Sequence, residues 1–147
     1  MKITDILLAE HFVFHNLFDS IEAGAGRLRT VAAVRAQAAL LESMLKPHSQ
    51  MEHELLMDPL DHCLDQLGHR DTFHHEHEAI EHALAAARKA RDLVSARRLL
   101  LEAVLASRKH FDKEERVVFP LAERLLKSKT LLELGARWMQ QRQGTAR

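Results

Sequence analysis

Apolar residues recur at helical spacing through nearly the whole 147-residue chain, and almost nothing interrupts them. Five glycines and three prolines are about half the usual combined frequency, too little turn chemistry for a many-stranded β protein. The pattern predicts an all-α fold. Its first helix opens at Thr4 as N-cap, buries Leu7, His11, Phe14, Leu17, Phe18 and Ile21, and ends at Gly24 to Gly26. A second runs from Thr30 to Met57 with Pro47 inside it, where a proline should bend the helix just before His48. A short piece from Pro59 to Leu67 stops at Gly68.

Asp71 or Thr72 is the expected cap of a third helix, which reads through His77, Ile80, Leu84 and Ala87 to about Arg91. After a break near Asp92 to Ser95, a fourth carries Leu99, Leu100, Ala103, His110, Val117, Val118 and Leu121, with Pro120 near its end. Thr130 and Glu133 form a capping-box pattern for a last helix, 131–142, whose Leu131, Leu134, Trp138 and Met139 predict docking. Short connections between long helices predict an antiparallel up-down-up-down four-helix bundle, about 4–126, with an extra C-terminal helix, all in one domain.

Charge narrows the function classes. Lys plus Arg and Asp plus Glu balance at 21 each, which gives no electrostatic reason to expect nucleic acid or an anionic membrane. The longest stretch without a charged side chain is eight residues, His11 to Phe18, far short of a bilayer span, so a cytoplasmic protein is expected, monomeric or homodimeric. One cysteine, Cys63, excludes an intrachain disulfide and any multi-thiolate metal site. The count that stands out is eleven histidines.

Their order repeats. His11 is followed by apolar residues at offsets 3, 6, 7 and 10, and then comes His48 with Glu52 one turn on; His77 is followed at the same offsets by Ile80, Ala83, Leu84 and Ala87, and then comes His110 with Glu114. Each half therefore reads as a helical hairpin that turns two imidazoles and one carboxylate inward. In the second half the two arms rise roughly equally from the loop, about 21 and 22 Å, whereas in the first they come to about 18 and 24 to 27 Å. A carboxylate has two oxygens and can bridge two cations, so two His-Glu pairs facing each other point to a dinuclear centre. Imidazole with carboxylate suits iron, with manganese or zinc as other occupants.

The order His11, His48xxxGlu52, His77, His110xxxGlu114, followed by "FDKEERVVFPL", resembles the hemerythrin-like (HHE cation-binding) family over roughly residues 4–126. The resemblance implies a bundle holding two iron ions, His11 and His48 on one, His77 and His110 on the other, and Glu52 and Glu114 bridging. Family members bind O2 reversibly, sense iron, oxygen or redox state, or handle nitric oxide and peroxide. Oxygen carriers place another histidine where this chain has Phe73, with His74 adjacent, and an acid five residues after the last histidine, where Glu115 stands. His74 and Glu115 are thus further candidate ligands, as is His15, one turn after His11. His53, His62, His69, His75 and His82 read as surface residues.

The expected function is a di-iron protein that binds or senses O2 or a related small oxidant or nitrogen oxide at an open iron position. The alternatives are a di-iron enzyme that removes peroxide or nitric oxide or donates iron for cluster repair, and a metal-free helical interaction module. The absence of tyrosine and the histidine-rich donor set lean against an oxidase. Ligand imidazoles must be neutral, so affinity for the ion should fall below about pH 6.

Overall fold

The computed structural model describes residues 1–145, and all of the regular structure among them is helical. Four long helices carry the chain: α1 (Ile3–Gly24), α2 (Val31–Glu52), α4 (Arg70–Lys89) and α5 (Leu93–Lys113). Shorter α3 (Asp58–Gln66) and α6 (Phe119–Leu125) continue α2 and α5 beyond wide π-helical turns at His53–Met57 and Glu114–Val118, and α7 (Ser128–Thr145) closes the described chain. Helix α5 packs on α4, α2 and α1, α2 packs on α4, and α7 packs on α1. No helix among the described residues is long and apolar enough to cross a membrane.

Helix starts differ from the sequence expectation in three places, each for a local reason. Lys2 rather than Thr4 is the N-cap of α1; Thr4 is buried inside the first turn and its hydroxyl donates to Glu123 of α6. The chain leaves α3 through Gly68, whose φ of 74° suits glycine, and α4 then begins at Arg70, so Asp71 lies in the first turn beside the positive end of the helix instead of capping it. Helix α7 begins at Ser128, with the Leu131 amide donating to the Lys127 carbonyl, which leaves Thr130 and Glu133 inside the helix. The break at Asp92 to Ser95 is itself a cap: Asp92 Oδ1 accepts from the Ser95 amide at 2.8 Å, and α5 starts there.

The unequal arms of the first hairpin are reconciled by a 3₁₀ turn, Ala25–Arg27, that lengthens the α1 side. At about 2.0 Å per 3₁₀ residue and 1.5 Å per α residue, both arms then rise about 26 Å. In the second hairpin the extended Ala90 and Asp92 backbone makes up the difference between a shorter α4 arm and a longer α5 arm. The two loops are clasped to the opposite hairpin by arginines: Arg35 of α2 donates to the Ala90 carbonyl, and Arg97 of α5 donates to that of Leu28.

Apolar burial is split into two clusters. One gathers Leu7, Met51, Leu55, Leu56, Leu60, Phe73, Val118, Phe119, Leu131 and Leu134. The other gathers Phe14, Phe18, Leu41, Leu45, Ile80, Leu84, Leu100, Val104 and Phe111. Along every long helix the change of cluster falls at the repeat histidine: Leu7 then Phe14 about His11, Leu45 then Met51 about His48, Phe73 then Ile80 about His77, Phe111 then Val118 after His110. A polar layer is therefore held between two hydrophobic cores.

Candidate metal centre

The π turns set the end of each acid-bearing segment. Pro59 and Pro120 have no amide hydrogen, and a proline ring clashes with the carbonyl four residues back, so the chain widens by a residue just before each. The amides of Asp58 and Phe119 accordingly donate five residues back, to the carbonyls of His53 and Glu114. Each wide turn starts six residues before its proline, at His53 and at Glu114. It begins five residues after His48 but four after His110, which absorbs the one-residue mismatch between the halves.

Inside the polar layer the six repeat residues converge. His11 Nε2 lies 3.2 Å from His48 Nε2, 3.4 Å from Glu114 Oε2 and 3.9 Å from Glu52 Oε1. Glu114 turns its other oxygen to the second half, 2.6 Å from His110 Nε2 and 3.8 Å from His77 Nε2. Glu52 Oε2 lies 4.0 Å from His48 Nε2. Two sets of candidate donor atoms each fit within 4.8 Å, His11 with His48 and Glu52, and Glu52 with His77, His110 and Glu114, so Glu52 belongs to both. Glu114 likewise faces both halves. His77 alone has a side chain with substantial exposure, 22%, while the other five are at most 1% exposed.

The outer nitrogens of three of the four imidazoles have carboxylate partners. With protons placed to suit the network, His48 Nδ1 donates to Glu10 at 2.8 Å, His11 Nδ1 to Glu115 at 3.0 Å, and His110 Nδ1 to Glu76 at 3.2 Å. In the neutral rings this turns the Nε2 lone pairs inward, the arrangement that metal-binding histidines use. Glu10 and Glu76 escaped the sequence reading. The signal was present as a repeated Glu-His pair, Glu10-His11 and Glu76-His77, in which the acid serves the histidine of the hairpin partner.

Electrostatics shows what the layer lacks. Burial pushes the His11 imidazole down to about 3, so it is neutral at ordinary pH. Burial, and then the neighbouring Glu114 charge, push Glu52 well above the usual carboxylate range. Burial opposes the outcome at the other two groups, but the mutual attraction of His110 and Glu114 outweighs it, raising the imidazole and lowering the acid. Both oxygens of Glu52, both of Glu114 and Nε2 of His110 are buried, and apart from the close His110–Glu114 pair none of them has a hydrogen-bond partner. Buried polar atoms so incompletely satisfied at one place are costly, and a shared cation would satisfy all five of them. The donor set therefore fits metal ions, with nitrogen and oxygen donors but no thiolate.

The remaining candidates lie outside both donor sets. Glu115 holds the outer nitrogen of His11 and stands 3.4 Å from His15 Nε2; His15 is half-buried and also meets Arg108 at 3.4 Å. His74 is exposed and pairs with Glu78 at 3.5 Å, because its place on α4 turns it away from the layer. The site expected for another histidine, Phe73, is part of the apolar core and packs edge-on to His110. His53, His62, His75 and His82 are exposed, and His69 is half-buried.

An all-helical chain with a buried imidazole and carboxylate layer defines a class of helical cation-binding proteins. Comparison with protein families assigns it within that class: residues 2–122 match the hemerythrin HHE cation binding domain, and the chain belongs to that family. No curated protein and no solved structure matches it.

Proposed function

We propose that the protein holds two iron ions between the halves of an up-down-up-down bundle and binds or senses a small oxidant or nitrogen oxide, such as O2, peroxide or nitric oxide. The observation that carries this reading is the set of four buried, incompletely satisfied oxygens on Glu52 and Glu114 among the nitrogens of His11, His48, His77 and His110. Six side chains leave an octahedral pair short of donors, and iron bound there would supply open coordination positions and redox chemistry.

The residues around the layer make its two sides unequal. His11, His48 and Glu52 are sealed, and the His11 ring stacks on Phe111 at 3.8 Å with the planes 4° apart. His77 is reachable. A cavity of about 280 Å³ between α2, α4 and α5 reaches His77 and His110; Leu45, Ile80, Leu84 and Phe111 line it together with the polar Glu42, Lys46, Ser49 and Glu81. A small molecule thus has a path to the His77 side that is apolar in part. The aromatic neighbours of the histidines, Phe14, Phe73, Phe111 and Phe119, cannot be oxidised as tyrosine can, which favours binding or sensing over turnover.

The test is elemental analysis of the protein purified without oxygen, followed by its optical spectrum before and after exposure. Two irons per chain and a new ligand-to-metal band on exposure are expected. Absence of stoichiometric metal, with no thermal shift on adding Fe²⁺, would leave the metal-free interaction module.

A further inference from the structure

Helix α7 starts at Ser128, beyond the residues matched by the family, yet it reaches the polar layer. Leu131 and Leu134 are buried in the cluster that contains Leu7, Leu55 and Leu56. Gly135 permits the approach, since a Cβ there would overlap the Met1 carbonyl oxygen and stand 3.2 Å from the Ile3 amide nitrogen. Two turns on, Arg142 Nη2 donates to Glu10 Oε1 at 2.6 Å, with its guanidinium over the Trp138 ring, 5.1 Å from the centroid. The second oxygen of Glu10 accepts from His48 Nδ1.

Among the described residues the other half shows no such outside contact. Glu76, which plays the same part for His110, is held by Lys113 on α5, the helix that carries His110. The two acids are thus secured differently, one from within its own hairpin and one from a helix outside the family match.

We propose that Arg142 is a positioning residue: docking of α7 fixes Glu10, Glu10 fixes the His48 ring, and the state of α7 thereby sets the affinity of the ion on the His11, His48 and Glu52 side alone. This rests on the two-ion reading above. Outer partners of ligating histidines commonly change metal affinity 10- to 100-fold, and Arg142 acts one bond further out, so an effect of about tenfold is expected.

The experiment is an anaerobic titration of the full chain with Co²⁺, read by calorimetry and by the visible d–d spectrum, for the wild type, Arg142→Gln, Arg142→Lys and Gly135→Val. Two ions should bind the wild type. Arg142→Gln should weaken one of them about tenfold and shift its band, leave the other unchanged, and move the melting temperature of the metal-free protein by no more than about 3 °C. Arg142→Lys should restore most of the affinity, and Gly135→Val, which lifts α7, should reproduce the one-ion loss. Two ions bound to Arg142→Gln with wild-type affinities, or both weakened equally, would overturn the proposal while leaving the two-ion reading intact. A wild type that takes up no Co²⁺ would overturn both.

Discussion

His11 and His48 face each other Nε2 to Nε2 across 3.2 Å while each gives its Nδ1 proton to a separate glutamate. Two lone pairs at that distance repel unless something positive lies between them. The contact is the one a cation held between the two rings would relieve.

Glu52 is a liability in the metal-free protein, because burial and the Glu114 charge act against its ionised form and neither of its oxygens has a partner. Glu52→Met keeps the volume and removes the acid. It should stabilise the metal-free chain by about 1 to 3 kcal/mol while abolishing stoichiometric metal binding. Denaturant unfolding in chelator checks this; a less stable metal-free variant would contradict it.

Loading should release protons. His110 and Glu52 both hold their protons to higher pH than usual, whereas His11 is already neutral down to about pH 3. A cation must displace the first two, so affinity should rise with pH and begin to fall on acidification above pH 6.5, earlier than unperturbed imidazoles would require. In the metal-free protein the His110 proton contributes stability that is complete below pH 6.5 and is lost as pH rises through the raised value. Calorimetry of metal binding in buffers of different ionisation enthalpy measures the protons released; none released at pH 6.5 would rule the assignment out.

Alanine at Glu52 or Glu114 should remove most of the bound metal, and alanine at His53 or His69 should leave it unchanged. His53 is exposed with Asp58 as its neighbour, and His69 meets only the Phe73 ring among aromatic partners. Equal metal content in all four variants would be incompatible with the proposed donor set.

Phe111 lies between the apolar core and the layer, stacked on His11 and edge-on to Phe14. Phe111→Ala should destabilise the protein by about 3 to 5 kcal/mol through the cavity it leaves. An unfolding free energy from chemical denaturation that falls by less than about 1 kcal/mol would show that neighbouring side chains refill the space.

Much of this was readable from residue spacing. His48 with Glu52 and His110 with Glu114, each one turn apart, needed only helical periodicity to be placed on buried faces. The level meeting of His11 with His48 was not fully readable, because a 3₁₀ turn at Ala25–Arg27 leaves no periodic signal and yet lengthens one arm. The second helix, expected to run unbroken to Met57, instead changes to a π turn after Glu52, since Pro59 acts on the turn before it as well as at its own position. Glu10 and Glu76 were hidden for another reason. Their partners are 38 and 34 residues away, and only the packed hairpins bring them together. Arg142 is further still from Glu10, 132 residues along the chain.

The duplicated hairpins carry a consequence for how the molecule is made. Each contributes two imidazoles and one acid to a compartment that neither encloses, so on the two-ion reading the His77 and His110 set, which takes Glu52 from the earlier half, is complete only after the later-synthesised half has folded against it. A ribosome-bound chain ending before His77 would emerge with an open, half-equipped receptor, and filling of the whole pair becomes the last event of assembly instead of its trigger.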